Sequence, residues 1–178
     1  MNYLSKYEIA FKGLKEGIHR FDYELDDKFF DKFGNSDVKK GSLKAEVILT
    51  KQSTLLIFEF SAKGFVELVC DRCLDFYNQK VNNKSKLFVK FGQEDQELSD
   101  DVIMISQDEY QINVAQYFYE LVVLGLPIMH VHPTDKNGKS ACDPEMIKKL
   151  NEYLIDDIIP ETQEPVDERW NELKKLIK

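Results

Sequence analysis

The chain is poor in the residues that most often carry chemistry. It holds three cysteines, three histidines and one tryptophan in 178 residues. An odd, low cysteine count argues against the disulfide framework of a small secreted domain. The roles left for the thiols are metal ligand, redox group or small buried hydrophobe. Glycine is scarce as well, at 8 residues, and none builds a phosphate-binding loop. No G-x-S-x-G and no H-E-x-x-H occurs. The acidic pairs Asp26-Asp27, Asp100-Asp101 and Asp156-Asp157 read as helix caps and solvated loops. The expectation is a protein that is not an enzyme and takes no small-molecule substrate.

Long apolar runs are also lacking. The longest, Leu121 to Met129, is interrupted by Gly125 and Pro127 and falls far short of the about 20 residues that span a bilayer. The opening MNYLSKYEIAF has neither the basic region nor the apolar core of a signal peptide. No membrane association and a cytoplasmic location are expected. Positive charge is not in excess either. The net charge is −8, whereas a general nucleic-acid coat protein is basic. A local basic patch, or a basic protein partner, fits this balance better than broad RNA coating.

What is present is an ordinary globular composition, 43% hydrophobic and 31% charged. A chain of this size buries roughly 70% of its unfolded surface, so a metal would be a local device rather than the foundation of the fold. Residues 7–11 read as a short strand, and residues 19–25 alternate as a strand should. Asp26 and Asp27 can cap a short helix, KFFDKF, which Gly34-Asn35 ends. Leu43, Ala45, Val47 and Leu49 share one face of a strand over 41–51, and Gln52-Ser53 suits a hairpin turn. TLLIFEFSA is strongly β-prone, Lys63-Gly64 reads as a turn, and FVELVC as the next strand. A long β-prone segment runs from Phe76 to Phe91, and Ile103 with Ile105 suggests one more strand.

The period then changes. Asn113 can cap a helix through VAQYFYELVVLGL, ended by Pro127, and Asp143 opens a second helix, PEMIKKLNEYL. The pattern predicts an α+β fold: an antiparallel β meander or partly closed barrel followed by C-terminal helices. Residues 1–155 are expected to form one α+β domain. Residues 156–178 are expected to supply an acidic linker and a short amphipathic helix bearing Trp170, Leu173 and Ile177.

The segment CDRCLDFYNQKV holds the main candidate site. Zinc favours four Cys and His ligands, and C-x-x-C is its commonest half-site. Here that half is Cys70 and Cys73. The loop after Pro127 offers His130, His132 and Cys142, the remaining thiol and two of the three imidazoles. The preferred set is Cys70, Cys73, His132 and Cys142, with His130 as the substitute. Alternatively, the histidines are surface residues, Cys142 is merely buried and the pair is an unused thiol turn. A redox role needs a lowered thiol pKa, usually at a helix N-terminus, and here Asp71 and Asp75 flank the pair within extended-looking sequence.

From Phe76 to Phe91 the chain has Lys80, Lys84, Lys86 and Lys90 and no carboxylate, with Arg72 just upstream. On a strand these lysines share a face. Such a face can line phosphates, with Phe76 and Tyr77 near enough to stack on unpaired bases. It can equally be a solvated face that protects a sheet edge.

The stretches YEIAFKGLKEG, CDRCLDFY and DERWNELKKL resemble the YceD family, most closely its Bacteroidetes-type members, over nearly the whole chain. The resemblance implies metal binding, nucleic-acid binding and a part in 23S ribosomal RNA accumulation. The implied partner is ribosomal RNA or a large-subunit ribosomal protein, and the implied cofactor is zinc. Many family members carry a second cysteine pair; here Cys142 stands alone, with His130 and His132 before it. The competing readings are a thiol redox protein using Cys70 and Cys73, and an interaction domain without a ribosomal role.

Overall fold

The computed structural model describes residues 3–34, 38–92, 101–134, 138 and 140–154. The expected acidic linker and tail helix lie outside them. The chain divides into two compact units, Met1–Cys142 and Asp143–Lys178.

The first unit is built on a five-stranded open sheet. Strands β2 (Gly17–Leu25), β3 (Lys40–Lys51), β4 (Leu55–Val69) and β5 (Phe76–Phe91) form an antiparallel meander. β6 (Val102–Ile105) joins β5 in parallel, with Phe88 opposite Val102. The meander alternative therefore holds, and the sheet does not close into a barrel. The turn at Gln52-Ser53 is as expected, with Gln52 N donating to Leu55 O at 2.9 Å.

Two strand expectations are corrected. The strand at 7–11 shrinks to β1 (Glu8–Ile9), flanked by 3-10 turns at Tyr3–Tyr7 and Phe11–Gly13. It pairs with β7 (Ile112–Asn113). Lys63-Gly64 is not a turn: β4 runs straight through it. A Cβ at Gly64 would overlap Ser42 O and lie 2.7 Å from Leu43 Cα. The glycine is there because β3 approaches too closely for a side chain.

Alternation puts every second residue on one side. Leu43, Ala45, Val47 and Leu49 of β3 are buried with Leu56, Phe58, Phe60, Ala62, Val66 and Leu68 of β4. Helix α1 (Asp27–Phe30) and helix α2 (Ala115–Val123) contribute Phe29, Phe30, Phe118, Leu121 and Val122 to the same core. Phe118 meets Tyr7, Tyr23 and Phe60 edge-on. Asp26 caps α1 as the sequence suggests, its Oδ1 accepting from Phe29 N at 3.0 Å. Asn113, in contrast, does not cap α2: it ends β7 one residue before the N-cap Val114, and its Oδ1 accepts from Ala115 N at 2.9 Å. At the far end of α2, Asn83 Nδ2 donates to Leu121 O at 3.1 Å. Gly125 leaves room for that amide, which a Cβ would overlap. In the second unit, α3 (Pro144–Tyr153) begins at Asp143, whose carboxylate accepts from Glu145 N at 3.0 Å.

Candidate functional site

The β4–β5 connection is a tight turn made by the two cysteines themselves. Cys70 N donates to Asp75 O at 2.9 Å, and Leu74 N to Cys70 O at 2.9 Å. Leu74 closes it at φ 63, a left-handed conformation that costs an ordinary residue roughly 1–2 kcal/mol. The return aims Arg72 N at Cys70 Sγ, 3.5 Å away.

The loop after α2 is tied to this turn through its backbone. Asp71 N donates to His130 O at 2.7 Å, and His130 N donates to Asp71 Oδ2 at 2.6 Å. The sequence suggested Asp71 only as a charge opposing a thiolate; its role is to anchor the second half of the site. Past that anchor the chain doubles back through the Thr134–Ser140 bridge and a bond from Ala141 N to Pro133 O. This return brings Cys142 beside His132.

Four donors converge. One ligand atom each from Cys70, Cys73, His132 and Cys142 lies within 4.8 Å of all the others. Cys70 Sγ is 3.7 Å from Cys142 Sγ. His132 Nδ1 is 3.4 Å from Cys73 Sγ and 3.7 Å from Cys142 Sγ. A tetrahedral zinc spaces its sulfurs by about 3.8 Å and sulfur from nitrogen by about 3.5 Å. The edges and the Cys3His donor set thus fit a metal held in the middle. All three cysteines are buried and unbridged. His130 offers its peptide group to Asp71 and stands outside the four donors.

The electrostatics suit ligation. Burial pushes the Cys70 thiol up, but the backbone N–H groups of Cys73 and Arg72 and the His132 side chain and backbone outweigh it and hold the thiol at about 6. A thiolate is the form that binds a metal. Tyr77 lies against His132, ring centroids 5.2 Å apart. Burial, then the negative charges of Cys70 and Asp71, raise its hydroxyl pKa. Its buried hydroxyl has no hydrogen-bond partner among the described residues. Tyr77→Phe should therefore keep the metal and raise stability by up to about 1 kcal/mol; a clear loss in a denaturant titration would reveal a hidden partner.

The family model for the large ribosomal RNA subunit accumulation protein YceD matches residues 58–177. The chain belongs to the YceD family. Comparison with curated proteins and with solved structures finds no match. The match to the YceD family model takes in β4, β5, α2 and all four donors. In this YceD-family chain His132 and Cys142, the preferred partners in the sequence, are the two residues that join Cys70 and Cys73 in the donor cluster.

The lysines are placed differently. Lys80, Lys84, Lys86 and Lys90 lie on the exposed face of β5, opposite the core, and Arg72 is exposed in the cysteine turn. Lys86 is paired with Glu59; the other three make no ion pair among the described residues. The sequence signal missed Lys44 and Lys63, which share that face from β3 and β4. Only the strand register brings them in. Among the described residues no helix is long and apolar enough to cross a membrane.

Proposed function

We propose that the chain is a non-enzymatic, cytoplasmic factor of large-subunit ribosome biogenesis. It supports accumulation of 23S ribosomal RNA by binding that RNA or a large-subunit ribosomal protein. Cys70, Cys73, His132 and Cys142 hold zinc. The observation that carries the non-enzymatic reading is the closed donor set. Three thiolates and one imidazole would fill all four positions of a tetrahedral zinc, whereas a catalytic zinc keeps one position for water or substrate. The metal then clamps the 130–142 loop to the β4–β5 turn. Membership in a family named for ribosomal RNA accumulation supports the cellular role. Depletion in the source cell should lower the ratio of 23S to small-subunit ribosomal RNA, read from total RNA. An unchanged ratio would sink the reading.

One observation favours a second reading. The low pKa of Cys70 meets the requirement for a redox thiol. Against it, Cys70 and Cys73 are 0% and 2% exposed, and thiol–disulfide exchange needs access to the sulfur. Rapid alkylation of Cys70 in the metal-loaded protein would favour the redox reading.

A further inference from the structure

The solvent face of the sheet gathers more positive charge than β5 supplies. Lys44 stands directly opposite Lys63. Lys63 in turn stands opposite Asn82, whose same-face neighbours along β5 are Lys80 and Lys84. Direct cross-strand neighbours lie about 4.5–5.5 Å apart and diagonal ones about 7–8 Å. All four lysines are exposed. Among the described residues the ion pairs on this face flank the four lysines, with each carboxylate already engaged: Arg20 with Glu46, Lys40 with Glu67, and Lys86 with Glu59. Glu24 is opposite Lys44 but outside ion-pair distance, and Asp22 lies further along the edge strand.

Like charges placed opposite one another destabilise a sheet. The chain as a whole carries −8, so the cluster runs against its overall balance. Edge protection accounts for Lys80 and Lys84 on the part of β5 that β6 leaves open, but not for Lys44 and Lys63 on the central strands, whose repulsion a bound polyanion would offset. An aromatic ring sits among the lysines. Phe65, 52% exposed, is opposite Lys80 and two residues from Lys63. Lys44, Lys63, Phe65 and Lys80 line one depression of the face, whose lining also includes Glu24 and Asp26.

We propose that this face binds single-stranded RNA, with phosphates on Lys44, Lys63, Lys80 and Lys84 and an unpaired base stacked on Phe65. Lysines supply the phosphate attraction, and an exposed ring on a sheet is a platform that accepts any base. A duplex keeps its base faces stacked and would leave Phe65 without a role. An acidic protein segment would use the lysines but not the ring. The proposal deepens the ribosomal reading and rests on it only for the source of the RNA.

The test is fluorescence anisotropy of the full-length, metal-loaded protein with a labelled oligouridine of about twelve nucleotides, within the range such surfaces occupy. Four phosphate contacts predict a slope of log affinity on log salt of about −3. Joint substitution of Lys44, Lys63, Lys80 and Lys84 by Gln should flatten that slope to near zero. Phe65→Ala should weaken binding about tenfold. Replacing Lys28, Lys32, Lys148 and Lys149 by Gln makes the same charge change elsewhere, and should leave affinity within about twofold. All the substituted side chains are exposed, and near-ultraviolet circular dichroism checks that each variant is folded. The proposal is overturned if native protein does not bind, if the two quadruple variants behave alike, or if duplex RNA or polyglutamate competes as well as oligouridine. Binding intact while depletion leaves 23S RNA unchanged would overturn the ribosomal reading alone. Depletion lowering 23S RNA with no oligouridine binding would overturn this surface alone.

Discussion

Purified native protein is expected to carry a single equivalent of zinc, and Cys70→Ser, Cys73→Ser, His132→Ala and Cys142→Ser should each reduce it to near zero. His130→Ala should keep it, because His130 serves the site through its peptide group and not its ring. Structural zinc contributes about 10–16 kcal/mol in zinc-finger peptides. Here the sheet core stands without it, so we expect only part of that on the whole fold. Even a third is comparable to the about 5–15 kcal/mol that stabilises a typical domain. Chelation should therefore lower the melting temperature by roughly 10–20 °C while the far-ultraviolet signal of the sheet survives below the transition. Metal analysis beside calorimetry tests this. Zinc retained by His132→Ala and lost by His130→Ala would refute the ligand set.

The metal-free protein should show a pH dependence of its own. The Cys70 thiol is lowered from 9.0 to about 6 in the folded chain. Between those values the unfolded state binds more protons, so stability rises with pH across that window. The contribution is complete above the unfolded value and is lost as the pH falls through about 6.

Gly64→Ala is expected to destabilise the protein by about 3 kcal/mol or more, the upper end for an overpacked core site. The new methyl would meet backbone, Ser42 O and the Leu43 Cα 2.7 Å away, and backbone in the middle of a sheet cannot swing aside as a flexible side chain can. A glycine in a solvated turn would cost far less. Urea titration distinguishes the two, and a loss below about 1 kcal/mol would mean that β3 and β4 part easily here.

The same glycine shows where sequence reading stops. Lys63-Gly64 between two β-prone runs reads as a turn, because glycine and a charge usually punctuate strands. What decides otherwise is the close approach of Ser42 and Leu43, some twenty residues away, and no local pattern reports it. Likewise, β6 is legible as a strand from Ile103 and Ile105, but nothing in those four residues says that it pairs in parallel with β5.

By itself the sequence determined the alternating strands, the caps at Asp26 and Asp143, the change to helical period after residue 113, and the cysteines and histidines from which a metal site could be drawn. These are local: they depend on side-chain period, hydrogen-bonding capacity near a helix start, and the donor chemistry of thiol and imidazole. Tertiary structure alone decided which histidine enters the site, because the choice between His130 and His132 rests on a backbone exchange with Asp71. It alone added Lys44, Lys63 and Phe65 to the lysines of β5. Neighbours across a sheet are fixed by register, and register follows from how the whole hydrophobic face is buried rather than from any one segment.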